Sequence, residues 1–408
     1  MNEAQKVLEP TSRREKRWPE LDGLRGIAIL LVFLLHYVTD SRTHEGDFGL
    51  LYKFAQIFRL GWSGVDLFFV LSGFLIGGIL LDARSSSNYF RAFYIRRVHR
   101  ILPVYYAWIA LYAIAGYSIM KWASAVDAAT VGGSLRAAMY FLFLQNILHI
   151  PVTLYSNYMV SPTWSLAVEE QFYLVAPFLI RYLSLKRLTT VLLACVVGAP
   201  VLRYFVFAFL PDGINKATVL MPCRADALAM GMLAAIAWRT PAKAWLLRRV
   251  SLLKIVAGIL LLGALAMIKW LPGPRTAFEG AYQFSWIACL YAGALLLALL
   301  DGQSLLARVS RWRFLRECGR VSYCVYLIHR GILGVCHWIF FRSLPRIDDW
   351  SGFSVTLLAA FLTWTIARAS WRYLEKPLID RGHRQTYASA IESSARIARE
   401  EVATPAQN

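Results

Sequence analysis

His36 stands near the end of an almost wholly apolar run, LDGLRGIAILLVFLLHY, residues 21–37. An imidazole gains and loses a proton near neutral pH. A histidine at such a place is a candidate general base or nucleophile. Arg25 precedes it by eleven residues. At about 100° per residue the two lie about 20° apart after three full helical turns, and about 16 Å apart along the axis. They therefore share one face of a helix, with Asp22 at the i, i+3 spacing that lets a carboxylate meet the Arg25 guanidinium. Such a stripe suits an elongated ligand, anionic at one end and reactive at the other. The plain alternative is a neutral histidine bonded to a neighbouring helix as structural glue. A second cation-capable group on the same stripe favours the functional reading, since ionisable groups inside a membrane are costly.

Two further clusters point the same way. YIRRVHRILPVYY, residues 94–106, gathers Arg96, Arg97 and Arg100 just before an apolar block. Guanidinium forks suit phosphate oxygens, although such a cluster also anchors helices at anionic headgroups. SPTWSLAVEEQFYLVAPF, residues 161–178, places Trp164 where an interfacial aromatic belongs. Glu169 and Glu170 then enter an apolar helix, expected at the depth of His36. One is expected to pair with Arg203, and the other to orient His36 or hold an acceptor hydroxyl; a purely structural ion pair is the alternative. GVDLFFVLSGFLIGG, residues 64–78, carries Ser72 among glycines that allow helices to approach closely. Arg224 and Asp226 read as a local pair, and His329 in SYCVYLIHR as a satisfied core histidine. HExxH, GxSxG and P-loop patterns are absent, so neither metal chemistry nor a serine nucleophile elbow is expected. The six cysteines show no paired spacing and read as small hydrophobes, without a disulfide framework or zinc site.

The elements that must hold these residues are membrane spans. The chain of 408 residues is 58% hydrophobic and 17% charged, with mean hydropathy +0.47. Soluble domains are nearer 45–50% and about 25%. The apolar residues fall into blocks long enough to cross a bilayer core of about 30 Å. Spans are expected at 22–40, 61–81, 101–119, 164–183, 188–208, 222–238, 250–270, 282–300, 319–340 and 352–372. The expected fold is thus an all-α polytopic transmembrane helix bundle of about ten spans. The formal charge of +19 comes from short Lys/Arg clusters between blocks. Alternate loops are basic, which is the positive-inside pattern and puts both termini in the cytoplasm. A nucleic-acid partner is not expected, because its charge would gather on one face. The first apolar run lacks a cleavage site and is expected to be retained. Residues 136–150 are apolar enough to tempt an eleventh span but read as a re-entrant or interfacial segment. Residues 1–20 read as a cytoplasmic segment, 21–376 as the membrane domain and 377–408 as a cytoplasmic tail. No appended soluble domain is read, so the chemistry is expected within the bundle and its short loops.

These motifs resemble the integral-membrane acyltransferase-3 family, bacterial proteins that O-acylate surface carbohydrates and some natural products. Arg25 and His36 within LDGLRGIAILLVFLLH look like the family's Arg/Lys-x10-His element. FFVLSGFLI (68–76), RRVHRILPVYY (96–106), TWSLAVEEQFY (163–173), SYCVYLIH (322–329) and YLEKP (373–377) resemble further family blocks in the same order. The resemblance implies a multi-pass protein of the bacterial inner membrane that takes acyl-CoA from the cytoplasm and a hydroxyl acceptor from outside. Carried onto these positions, Arg25, Arg96, Arg97 and Arg100 would hold the phosphates of the donor, and His36 would be catalytic. Glu170 joins His36 as a second catalytic candidate on the acceptor side. Asp22, Ser72, Trp164, Glu169 and Arg203 complete the set as candidate substrate contacts.

The expected reaction is transfer of an acyl group, by analogy acetyl, with His36 as general base or as the carrier of an acyl-imidazole. A lipid-linked sugar, lipopolysaccharide or exopolysaccharide unit is the first expectation for the acceptor, and a macrolide-like natural product the second. Membrane lipids are the other expected partners. The competing class is a proton-coupled transporter, which also uses buried Asp, Glu, His and Arg. The sequence lacks the repeated halves with matching broken helices that such proteins often show.

Overall fold

The computed structural model describes residues 18–41, 55, 57–122, 134–147, 159–270 and 276–388. Every regular element among them is helical. Helix α1, Pro19–Leu34, continues into a π-helical turn at Leu35–Thr39. A 3-10 turn at Phe58–Ser63 leads into α2, Gly64–Asp82. Then come α3 (Tyr89–Trp122), α4 (Ser134–Phe141), α5 (Thr163–Tyr182) and α6 (Leu185–Phe209). Short α7 (Gly213–Val219) and a 3-10 turn at Met221–Arg224 precede α8 (Ala225–Arg239). Helices α9 (Ala242–Arg248), α10 (Val250–Trp270), α11 (Ala277–Leu300) and α12 (Leu305–Ser310) follow. The described residues end with α13 (Arg313–Phe341), α14 (Trp350–Ser370), a π turn at Trp371–Glu375 and α15 (Lys376–His383).

Among the described residues seven helical stretches are long and apolar enough to cross a membrane, and an eighth is counted if α7 and Met221–Arg239 form one span. The expected span at 222–238 coincides with the second piece, and α7 precedes it at an angle of 68° across Leu220. Two other expected spans, 101–119 and 164–183, coincide with α3 and α5. Helix α5 has 20 residues, enough for about 30 Å. Both helices carry charge, because they bring Arg97, Arg100, Glu169 and Glu170 into the interior. The tempting segment at 136–150 forms only the eight-residue α4 and a series of turns through residue 147, too short to span. It docks sideways: Tyr105 and Tyr106 donate to the carbonyls of Tyr140 and Phe141.

The bundle is apolar outside as well as inside. Leu193, Val197, Val201 and Phe205 on α6, and Ile255, Ile259 and Leu262 on α10, are exposed, as helices facing lipid tails must be. With no hydrophobic drive between helices in lipid, association depends on close packing. A backbone-to-backbone contact joins α1 to α13. A Cβ on Gly319 would fall 1.9 Å from the Asp22 carbonyl, and one on Gly26 2.0 Å from the Leu315 carbonyl. These helices run parallel, and the register then does the rest. Ten residues beyond Gly26 stands His36, and ten beyond Gly319 stands His329.

A side chain at Gly319 must push the two backbones apart. Overpacking of this kind costs about 1–3 kcal/mol. Gly319→Leu should lower the thermal midpoint of the purified protein in lipid nanodiscs, whereas Gly198→Ala, with nothing within 4 Å of the added carbon, should not. An unshifted midpoint in Gly319→Leu would refute the contact.

A histidine pair, a polar column and two cavities

The π turn lifts His36 off the regular course of α1 and aims its ring at α13. Such turns recur at functional sites. The turn closes through Asp40 N–H to the Leu35 carbonyl at 2.8 Å, and Ser41 Oγ caps the His36 carbonyl at 2.7 Å. Tyr37 anchors it from behind. Its ring stacks on Phe33 at 3.9 Å, and its hydroxyl donates to the His329 carbonyl at 2.9 Å and meets Thr363 Oγ1 at 2.8 Å.

His36 Nδ1 lies 3.0 Å from His329 Nε2, and His329 Nδ1 lies 2.7 Å from the Tyr326 carbonyl. A carbonyl only accepts, so a neutral His329 carries its proton on Nδ1 and offers a lone pair at Nε2. His36 must then donate through Nδ1–H, which leaves His36 Nε2 as a bare lone pair. This assignment comes from the bonding network. Asp40 Oδ2 stands 3.8 Å from that nitrogen, beyond hydrogen-bond reach but close enough to stabilise an imidazolium. His36 lines a cavity of about 280 Å³ together with Trp62, Trp164, Arg224, Tyr326 and Arg330. A base at its rim can take a proton from a hydroxyl placed there.

Helix α5 links this cavity to the basic end of the bundle. Trp164 lines the cavity and packs edge-on against Phe69. Glu169 and Glu170 follow about 8–9 Å further along the axis. The expectation that they share the depth of His36 is therefore corrected. Glu169 accepts from Ser72 Oγ at 3.0 Å and from the Tyr173 hydroxyl at 2.8 Å. Glu170 lines a second cavity, of about 160 Å³, with Tyr94, Arg97 and Tyr173. The two cavities share no lining residue. Glu170 is thus placed beside Arg97, at a different cavity from His36.

The expected donor-binding arginines divide. Arg25 lies within electrostatic reach of Arg100, Asp22, Tyr173 and Glu169. Arg97 stands over the rings of Phe93 and Tyr173, each at 5.8 Å, and lines the second cavity. Arg96 instead turns outward, donating through Nε to the Gln385 carbonyl at 3.0 Å and resting on the Tyr387 ring at 4.8 Å. It ties α3 to the segment after α15.

Arg203 is corrected more fully. It is completely buried, with two nitrogens on Asp226 at 3.1 and 2.8 Å and further bonds to Ser285 Oγ and the Ala281 and Cys223 carbonyls. It neither pairs with Glu169 or Glu170 nor lines either of these two cavities. Arg224 reaches Asp66 at 2.6 Å, so the expected Arg224–Asp226 pair is exchanged for two pairs that cross between helices. Arg203 joins α6 to α8 and α11, while Arg224 joins the turn before α8 to α2. Among the described residues no three His, Cys, Asp or Glu side chains are grouped to hold a metal.

Sequence reasoning missed His329, Asp40, Arg224 and Trp62. His329 was visible as one of only seven histidines, buried in an apolar block with the spacing of SYCVYLIHR. The His36-x3-Asp40 spacing was equally legible. The partner of each across the bundle was not.

A family model described as an acyltransferase domain matches residues 18–369. The chain is 28% identical over 397 residues to the peptidoglycan O-acetyltransferase OatA of Listeria monocytogenes, covering 92% of this chain and 58% of that protein. It is 28% identical over 390 residues to a putative peptidoglycan O-acetyltransferase, YrhL, of Bacillus subtilis, covering 90% and 55% respectively. Identity to a putative membrane-bound transacylase, BcsY, of Komagataeibacter xylinus is 27% over 345 residues, covering 82% and 78%. The chain thus spans little more than half the length of the first two relatives. No solved structure matches.

The Arg203 network is read as scaffold. Removing one partner of a buried pair costs about 3–5 kcal/mol, while replacing both by apolar residues is often neutral. Arg203→Met should lower thermal stability sharply, and Arg203→Met with Asp226→Leu should regain most of it. A single variant of unchanged stability but raised acceptor KM would instead make Arg203 a substrate contact.

Proposed function

This chain belongs to the acyltransferase-3 family of integral-membrane proteins, and on that premise we propose that it moves an acetyl group from acyl-CoA to a hydroxyl of a cell-envelope glycan. The names of two of its relatives support a glycan acceptor of the peptidoglycan class. The observation that carries the reading is the bare Nε2 of His36, oriented by His329 at the rim of a cavity. The Lys/Arg-rich loops support a cytoplasmic basic end.

In this reading the nucleotide phosphates of the donor bind at the basic end, near Arg25, Arg97 and Arg100. The thin pantetheine arm runs along the polar column of Tyr173, Glu169 and Ser72. Since the two cavities have no common wall residue, the Glu169–Ser72–Tyr173 bonds must open for the thioester to reach His36. The acceptor hydroxyl gives its proton to His36 Nε2, and its oxygen attacks the thioester carbonyl. The C–S bond then breaks, the imidazolium returns the proton to the departing sulfur, and free CoA thiol leaves. During the charged interval His329 Nε2 keeps the Nδ1 proton bonded and Asp40 offsets the positive ring. Glu170, beside Arg97, sits with the donor.

A positioned base is worth about 10²–10⁴-fold. His36→Ala should lower transfer of labelled acetyl from acetyl-CoA to glycan by at least the lower of these factors, with unaltered folding. Arg25→Ala should raise the apparent KM for acetyl-CoA more than that for the acceptor. Wild-type transfer in His36→Ala would remove His36 from the mechanism, and an unchanged donor KM in Arg25→Ala would remove its phosphate role.

A further inference from the structure

A pair of hydroxyls beside the histidines has two ways to share its protons. Ser165, in the first turn of α5, is buried. Its Oγ lies 3.1 Å from the Pro162 carbonyl and 2.6 Å from the Tyr326 hydroxyl. A serine hydroxyl has one proton to give. Given to Pro162, it obliges Tyr326 to donate to Ser165. Given to Tyr326, it frees the phenolic proton for another acceptor. The second state does not leave the Pro162 carbonyl bare, because that carbonyl also accepts the Ser165 backbone N–H at 3.4 Å.

Tyr326 is placed to use the freed proton. It is half-buried and lines the His36 cavity, whereas Ser165 stands behind it. Its ring meets Phe68 edge-on at 5.9 Å and lies 5.9 Å from the His329 ring. Its own carbonyl accepts from His329 Nδ1 at 2.7 Å. One residue thus fixes the histidine pair through its main chain and offers the same cavity an O–H donor through its side chain. Arg330 lines that cavity too, and its positive charge favours an anion developing there. Acyl transfer creates such an anion. As the acceptor oxygen bonds to the thioester carbon, the C=O π pair moves onto the carbonyl oxygen, which then needs a preorganised donor. His36 is occupied with the acceptor's proton and cannot serve that oxygen as well.

We propose that Tyr326 donates the hydrogen bond that stabilises this oxyanion, and that Ser165 is its positioning residue. The proposal rests on the acyltransfer reading. The new C–O bond forms as His36 Nε2 takes the acceptor's proton. Tyr326 turns its O–H from Ser165 to the oxyanion and keeps its proton throughout, while Ser165 turns its own from Pro162 to Tyr326. Collapse reforms the C=O bond and breaks the C–S bond, and the imidazolium proton goes to the sulfur.

The test is transfer of labelled acetyl from acetyl-CoA by the full chain in lipid nanodiscs, together with binding of two unreactive donor analogues. These are the S-acetonyl and S-trifluoroacetonyl thioethers of CoA. The second hydrates to a tetrahedral carbon and imitates the intermediate. Tyr326→Phe keeps the ring and the main-chain bond to His329 and removes only the hydroxyl. Loss of one oxyanion donor costs about 10²–10³ in kcat, so Tyr326→Phe should lose kcat on that scale, with both KM values and the thermal midpoint held. The wild type should prefer the trifluoro analogue, and Tyr326→Phe should lose that preference. Ser165→Ala should lower kcat by less, and Ser165→Thr, which keeps the hydroxyl, should recover it. If Tyr326→Phe folds poorly, the Ser165 variants decide. An active wild type with kcat untouched in Tyr326→Phe, or a loss carried by KM or stability alone, would overturn the proposal and leave the acyltransfer reading standing. An unchanged kcat in Ser165→Ala would remove the positioning role. A wild type that neither transfers acetyl nor binds either analogue would refute the acyltransfer reading and this proposal with it.

Discussion

The structure depends on the contact between α1 and α13. Two glycines let these parallel helices touch backbone to backbone, and the shared spacing of ten residues carries that contact up to His36 and His329. In water such a contact would be one among many. In a bilayer the lipid offers helices as good an apolar surface as they offer one another. Steric fit then selects the neighbour, and the fit here sets which nitrogen faces which. The π turn at residues 35–39 adds the last rotation, and Tyr37 locks it by bonding the His329 carbonyl. A proton acceptor is thereby placed by packing and tuned by one hydrogen bond.

The buried charges serve two different ends. The Arg203–Asp226 pair, with its further bonds to Ser285 and two carbonyls, fastens three helices beside the break at Leu220. The Arg224–Asp66 pair is a single contact at 2.6 Å, with the guanidinium laid on the Phe284 ring at 4.1 Å. The 3-10 turn after that break ends at Arg224, and Asp226 stands in the first turn of α8. The column of Ser72, Glu169 and Tyr173 is a third arrangement, a carboxyl that accepts from two hydroxyls at the edge of the second cavity. A transfer across the membrane needs a divider, since an open passage would also carry water to the thioester.

Much of this was legible in the sequence, and the limits were physical. Helix periodicity put Arg25 and His36 on one face, and apolar blocks located most of the helices. The depth of Glu169 and Glu170 was misjudged because the direction of α5 was known but the insertion depth of Trp164 was not. A few residues of error along a helix move a side chain by several ångströms. The partners of Arg203 and Arg224 were misassigned for another reason. Neighbours in sequence, Arg224 and Asp226 looked like a pair, but each found a better partner on another helix, and no single sequence records which helices touch. His329 was read as a satisfied core histidine, and it is buried with both ring nitrogens bonded, one of them to His36. Its burial was visible and its neighbour was not.

The central claim is that His36 presents an unprotonated Nε2 because His329 holds its Nδ1 proton. Solid-state NMR of the full chain in lipid, with ¹⁵N-labelled histidine and His36→Ala to assign the signal, reads this directly. The account predicts that at neutral pH the His36 ring carries its proton on Nδ1 and none on Nε2, and that His329→Leu abolishes this preference. A His36 protonated on Nε2, or an Nδ1 preference that survives loss of His329, would contradict it.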